Sequence, residues 1–432
     1  LPDKEVIDRL REMIKGLESR EPHLPPPAAA LEEMLPGDTE GGPDTGCRAG
    51  YRIPYASKAA DIPFLRTDTR EEKDYSVITT VYGEGATPEL LPPPEGSLPG
   101  FQSLEPCLDT LENWVYLDIE TTGLMGAATI AFLIGLGEWT GEGFRIDQYF
   151  LTDRQGEEAM LEAIGKVLEG RRVLVTFNGK AFDVPVIQSR YVMAAMRPPV
   201  PLASHLDFLS LTRRMGRRTN YGQSLKEAVR RFTGVVRSGD IPGHMIPALY
   251  FVYEREGDPS ILLPVIKHNR LDVLDMACLT WVFGHILTAG ARAGDPESLA
   301  GAGKLHLKRG NLELARKCLE SACRDAPELG RTSVDTEASR LRLLGQVLRK
   351  QSDWEGAVSA LEALVSTGCA KDEDYLSLAR CYELGSGDLE KAMEVARQAL
   401  LRHEIAMTEA PESLKSRIRR LERRLSKLSG SA

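Results

Sequence analysis

The sequence predicts an α/β domain, a mixed sheet with flanking helices, followed by an all-α domain of helical repeats. Three observations carry this reading. Between residues 111 and 290, short apolar runs alternate with segments of helical period. From 296 to 428 the helical period continues without strand signals. Within that second region, small residues recur at a nearly constant offset, the mark of an internal repeat.

With 432 residues, the chain has room for two or three domains. Its 42% hydrophobic and 27% charged residues are ordinary for a globular protein. The longest apolar stretch, 127–136, is too short to span a bilayer, so no membrane association is expected. The first twenty residues mix both charge signs around no apolar core, which argues against a signal peptide. The seven cysteines are odd in number and form no CxxC pair, so reduced thiols in the cytoplasm are expected rather than disulfides or a zinc site. A net charge of −9 argues against a large electrostatic clamp for nucleic acid. One local basic patch stands out: Arg213, Arg214, Arg217 and Arg218, followed by Arg230, Arg231 and Arg237. It reads equally as a substrate-facing surface or a solvated helix face.

Taken in order, residues 1–20 read as an amphipathic helix and 21–46 as a Pro/Gly-rich flexible linker, giving an N-terminal region of 1–47. Residues 48–110 form an extension with one strand, Ser76 to Val81. The α/β domain, 111–290, begins with a strand over Trp114–Glu120. Strands at Ala128–Glu138 and Phe144–Leu151 follow, joined by the turn Thr140-Gly-Glu-Gly143. A helix over Gln155–Leu168, a strand over Arg172–Asn178 and a helix over Pro185–Met196 come next. Ser224–Phe232, Pro247–Glu256 and Ser260–Ala289 read as further helices.

In 296–428, Gly303 is followed by Ala315 twelve residues later, Gly345 by Ala357, and Ala379 by Ala392 after thirteen. Small residues at such positions let paired antiparallel helices approach closely. The pattern resembles three tetratricopeptide repeats, closed by a basic final helix over Glu412–Leu428. A generic helical bundle is the plainer alternative.

The chemistry is carried by three acidic segments. Asp118 and Glu120 alternate on the first core strand and so share one face. Two charges there are costly unless a cation compensates them. Asp183 follows in Asn178-Gly-Lys-Ala-Phe-Asp183, and Asp272 in His268-Asn-Arg-Leu-Asp272. Hydrolysis of a phosphodiester needs an activated water and stabilisation of both the attacking and leaving oxygens. Two divalent ions roughly 3.5–4 Å apart supply this, and hard Mg²⁺ or Mn²⁺ require oxygen ligands. Asp118, Glu120, Asp183 and Asp272 offer four carboxylates. His268, one helical turn before Asp272, is placed to take the proton of the attacking water. The plainer readings are that Asp183 caps the helix starting near Pro185, that His268 is an ordinary helix-surface residue, and that Asp207 orders a turn.

The three segments, with Ser204-His-Leu-Asp-Phe-Leu209 and the stretch from Gly239 to Tyr250, resemble the DEDD exonucleases, and most closely the YprB-type ribonuclease-H-like family. The resemblance implies a ribonuclease-H-like fold and a two-metal 3′→5′ exonuclease. It implies that Asp118 bridges both ions, that Glu120 and Asp272 complete one site, and that Asp183 holds the second. It implies that Thr121 and Gly123 approach the terminal nucleotide and that Asn178 positions substrate or Asp183. Arg213 and Arg214 are candidate substrate contacts. One departure is visible: His268 stands four residues before Asp272, where the family usually has Tyr, or else His one position earlier. The expected substrate is single-stranded DNA or RNA. The competing expectation is a nucleic-acid-binding scaffold with weak or no catalysis, recruiting a protein partner through its helical repeats.

Overall fold

The computed structural model describes residues 66–83, 99–102, 104, 108, 110–123, 129–199, 204–216, 224–237, 239–289, 295–324 and 333–429. The expected N-terminal helix and linker, 1–47, and Arg217 and Arg218 lie outside these. The chain divides into two compact units. One holds the described residues up to 83, from 108 to 213 and from 224 to 282; the other holds 99–104, 214–216 and 283–429.

The first unit is built on a seven-stranded sheet. Its strands are β1 (Arg66–Glu71), β2 (Tyr75–Tyr82), β3 (Trp114–Thr121), β4 (Ala131–Thr140), β5 (Gly143–Leu151), β6 (Val173–Thr176) and β7 (Ser204–Asp207), in the order β1-β2-β5-β4-β3-β6-β7. The β1–β2, β2–β5, β5–β4 and β4–β3 pairs are antiparallel, whereas β6 joins β3, and β7 joins β6, in parallel. The sheet is therefore mixed, as the sequence suggests. The extension expected at 48–110 is not separate from it: β2 pairs along its whole length with β5 and carries β1 at the edge.

Helices α1 (Glu157–Glu169) and α2 (Asp183–Met193) bury Met160, Leu161, Ile164, Val186 and Ile187 in one core with Val115, Leu117 and Ile119 of β3. Helix α3 (Phe208–Met215) follows β7 directly, α4 is Leu225–Thr233, and α5 is Ile246–Glu256. Tyr250 of α5 stacks on Phe132 of β4, with ring centroids 4.1 Å apart. The long helix α6 (Leu263–Thr288) covers the opposite face. A Cβ on Gly135 would sit 2.5 Å from Asn269 Oδ1, and one on Gly137 would sit 2.5 Å from Val273 Cγ1. Bare glycines on β4 thus let α6 lie directly against the sheet. Tyr116 Oη, from β3, meets Thr280 Oγ1 of α6 at 3.0 Å.

Among the described residues one helical run, 259–288, is long and apolar enough to cross a bilayer. Its apolar window is 78% buried inside the protein, which makes it a core helix.

The second unit carries α7 (Pro296–Arg309), α8 (Leu312–Arg324), α9 (Val334–Lys350), α10 (Trp354–Ser366), α11 (Asp372–Cys381), α12 (Leu389–Ile405) and α13 (Glu412–Ser429). Consecutive helices pack on one another, and the recurrent small residues sit where they touch: Gly303 lies against Leu319, and Gly345 against Leu361. Ala315, Ala357, Ala379 and Ala392 are fully buried. Arg417, Arg420 and Arg424 of α13 converge on the buried carboxylate of Glu383. Part of the final helix's basic character therefore faces inward. Cys278, Cys318, Cys323, Cys369 and Cys381 are free thiols.

Candidate active site

Asp118 and Glu120 lie on the α6 face of β3, in register with Gly135 and Leu133 of β4. Because β4 has no side chain at Gly135, Asn269 of α6 reaches across the sheet. Its Nδ2 donates to Asp118 Oδ2 at 2.8 Å and to the Asp118 carbonyl at 3.1 Å. Its Oδ1 accepts from Gln148 Nε2 at 2.9 Å, and the same nitrogen donates to the Ile266 carbonyl at 2.8 Å. Asn269 and Gln148 are both wholly buried. The amide pair therefore locks α6 onto β3 and β5 and fixes the turn that carries His268 and Asp272.

Asp183 arrives from the other side of β3. It is the first residue of α2, two positions earlier than the sequence suggests, and Phe182 takes the cap position. Its Oδ1 accepts the Ile119 backbone N–H at 3.2 Å, so the carboxylate is turned to β3 rather than spent capping its own helix. The loop before it is held by Asp207 at the end of β7. That carboxylate accepts the backbone N–H groups of Asn178 (2.9 Å), Lys180 (3.2 Å) and Leu209 (3.0 Å). Asp207 thus orders a turn. Asn178 is in the left-handed region at φ 67°, which asparagine tolerates better than most residues.

Around His268 and Asp272 stand Asp240, Arg237 and Asp275, to which the sequence assigns no part in the chemistry. His268 Nδ1 lies 2.7 Å from Asp240 Oδ1, while its Nε2 lies 3.7 Å from Asp272 Oδ2 and 4.0 Å from Glu120 Oε1. Arg237 contacts Asp272 Oδ1 through Nη1, which also lies 3.1 Å from Asp240 Oδ2, and its Nε donates to Asp275 Oδ2 at 2.8 Å. The Arg237 side chain is only 3% exposed. Its place in a basic surface patch is therefore corrected: it is the buried counter-ion of three aspartates. His268 is likewise buried, not an ordinary surface residue.

The electrostatics follow from this arrangement. Burial, then repulsion from Asp272, Glu120 and Asp183, pushes the Asp118 carboxyl well above the usual carboxylate range, against the Asn269 hydrogen bond. Burial, then Asp272, Asp183 and Asp240, does the same to Glu120. Burial raises Asp183 to about 7, although the backbone N–H groups of Asp183 and Ile119 oppose it. Burial would raise Asp240 too, but hydrogen bonds from His268 and Lys226 and the charge of Arg237 outweigh it and hold that carboxyl below its usual range.

Arg237 neutralises the Asp272–Asp240–Asp275 side of the cluster. Asp118, Glu120 and Asp183 have no comparable counter-ion among the described residues. Nor do any three His, Cys, Asp or Glu side chains among those residues close into a finished metal cage. Three of the four carboxylates are instead held by a protein donor: Asn269 on Asp118, the Ile119 amide on Asp183, Arg237 on Asp272. The donor chemistry nonetheless fits a hard divalent cation. The available atoms are carboxylate oxygens, they carry excess negative charge, and Asp118 and Glu120 remain partly open to solvent. Asp118, Glu120, Asp183 and the Oδ2 of Asp272 are the groups that could hold one.

The remaining candidates divide. Thr121 closes β3 and its hydroxyl donates to the Gly123 carbonyl at 2.6 Å, shaping the turn just beyond the carboxylates. Asn178 donates its backbone N–H to Asp207 and its carbonyl accepts from Ala181 N, so neither bond goes to Asp183. Arg213 and Arg214 are exposed on α3 and are not among the groups that contact the carboxylates.

Residues 115–282 match a family model of the RNase_H superfamily, RNase_H_2. That segment resembles RNase H-type domains. The chain is 29% identical over 318 residues to an uncharacterized protein YprB of Bacillus subtilis (strain 168), a match covering 73% of this chain and 75% of the relative. Among solved structures it is similar to a family B DNA polymerase from the hyperthermophilic archaeon Pyrobaculum calidifontis. There the TM-score is 0.32 and the identity 16%, over 55% of this chain and 29% of the polymerase. The likeness to RNase H-type domains suggests nuclease-type chemistry on nucleic acid, for which such domains generally use divalent metals.

Proposed function

We propose that the protein is a metal-dependent nuclease, a 3′→5′ exonuclease that hydrolyses single-stranded DNA or RNA. The observation that carries this reading is the meeting of Asp118, Glu120 and Asp183, whose charges no side chain among the described residues fully offsets, with Asp272 and His268 alongside. Asp118, Glu120, Asp183 and Asp272 would hold two Mg²⁺ or Mn²⁺ ions. Bound there, the ions would activate water and offset charge on the attacking and leaving oxygens. His268 would accept the proton of the attacking water at Nε2, the ring nitrogen that faces Glu120 and Asp272. Thr121 and Gly123, in the turn after β3, would meet the terminal nucleotide. Asn178 would line the same approach, and Arg213 and Arg214 would contact the phosphate backbone further along the strand.

The helical second unit, with its paired helices and interlocked Gly303–Leu319 and Gly345–Leu361 contacts, supports a tetratricopeptide-type array that recruits a protein partner. Free thiols in both units support a cytoplasmic location.

The test is degradation of 3′- and 5′-labelled single-stranded DNA and RNA with Mn²⁺, comparing the parent protein with Asp118→Ala. The expected result is a ladder shortening from the 3′ end that requires metal and is absent in the variant. Binding without cleavage of any substrate would reject the nuclease and favour a scaffold that holds nucleic acid while the repeats recruit its partner.

A further inference from the structure

We infer that Asp240 is a positioning residue for hydrolysis, fixing His268 in the one tautomer that leaves its Nε2 bare toward Glu120 and Asp272. The inference rests on the nuclease reading above and deepens it.

The geometry is a chain of hydrogen bonds with a defined direction. Asp240 Oδ2 lies 2.7 Å from Lys226 Nζ and 3.1 Å from Arg237 Nη1. Both of those groups can only donate. Asp240 Oδ1 lies 2.7 Å from His268 Nδ1. A carboxylate among two cations is an acceptor only, so the proton in that last bond sits on the imidazole, at Nδ1. Neutral His268 then carries its lone pair on Nε2. Neither carboxylate oxygen that Nε2 faces, at 3.7 and 4.0 Å, is within hydrogen-bond distance. The step this serves is balanced. A water proton passes to Nε2 while the water oxygen bonds to phosphorus, the phosphorus–oxygen bond to the leaving sugar breaks, and the leaving oxygen takes a proton from solvent.

The loop that carries Asp240 is built to hold it still. Gly239 turns the chain at φ 69°, and Lys226 Nζ donates also to the Ile241 carbonyl at 3.2 Å. Lys226 is set by α4, whose start is closed by a capping box between Ser224 and Glu227.

Asp240→Asn makes the inference testable, because the surrounding donors dictate how the new amide must sit. Lys226 and Arg237 require an oxygen where Oδ2 was, so the NH₂ group must occupy the Oδ1 position. There it donates to Nδ1 and drives the His268 proton onto Nε2. The first readout is the protonated ring nitrogen of His268 by ¹⁵N NMR in metal-free protein, assigned with His268→Gln, at a pH that leaves the imidazole neutral. The parent is expected to carry the proton on Nδ1 and Asp240→Asn on Nε2. In cleavage assays kcat is expected to fall roughly 10²–10⁴-fold with KM nearly unchanged. The double variant Asp240→Asn/His268→Gln should be no slower than His268→Gln alone.

A parent proton on Nε2 overturns the inference without need of any variant. So does an Asp240→Asn protein with parental kcat, or losses that multiply in the double variant. A parent that binds but never cleaves overturns the nuclease reading instead, while the ring-nitrogen measurement still decides the role of Asp240.

Discussion

Three closely set carboxylates that repel one another, Asp183 buried and Asp118 and Glu120 only partly exposed, are a liability in the metal-free protein, and the size of that liability depends on pH. Asp183 is raised from its ordinary value near 3.8 to about 7. The native state therefore binds its proton more tightly than the unfolded chain does. The stabilising effect of that proton is complete below about 4 and is lost as pH rises through about 7. Asp183→Asn removes this loss. Without metal, its thermal midpoint relative to the parent should rise as pH goes from 4 to 7, and added Mn²⁺ should stabilise it less than the parent. A pH-independent difference between the two proteins in thermal melts would contradict the electrostatic account. Asp118 and Glu120 were legible in the sequence because two acids on one face of an apolar strand violate a local rule. Asn269, Asp240 and Arg237 were not legible as site residues, since what they do is defined by partners 28 to 151 positions away. Arg237 is the instructive case, as the sequence grouped it with surface arginines whereas the fold turns it inward.

At the scale of elements, the site depends on how closely α6 approaches β4. Gly135 and Gly137 are the condition for that approach. Gly135→Ala would put a methyl group 2.5 Å from Asn269 Oδ1, next to the amide that holds Asp118. Overpacking of this kind costs about 1–3 kcal/mol. Chemical denaturation should show a loss of that order, and nuclease activity should fall further than stability alone explains, because Asn269 and Asp272 move with the helix. Unchanged stability would mean that α6 is not seated as described. The main strands from β2 to β6 and helices α1, α2 and α4 to α6 could be read from periodicity and turn residues. Strand β1 could not: Arg-Thr-Asp-Thr-Arg-Glu is exposed throughout and has no apolar alternation to reveal it. Strand β7 is four residues long and runs straight into α3, too short for a period of two to show. Pro185 looks like a helix start and so puts Asp183 before the helix, whereas the helix begins two residues earlier.

At the scale of the whole chain, what matters is where the charge lies. The sheet unit concentrates buried acid at one place, and the net charge of −9 leaves the protein without the broad positive field of a non-specific nucleic-acid clamp. On the nuclease reading, affinity for a polyanion would come from cations held at the Asp118 cluster together with local arginines such as Arg213 and Arg214, so metal binding at that cluster is its central claim. The most direct test is calorimetric titration of Mn²⁺ into the full chain and into Asp118→Ala, without substrate. The account predicts about two ions bound per parent chain and loss of at least one in the variant. A parent that binds no divalent ion, or a variant that binds as the parent does, would contradict it.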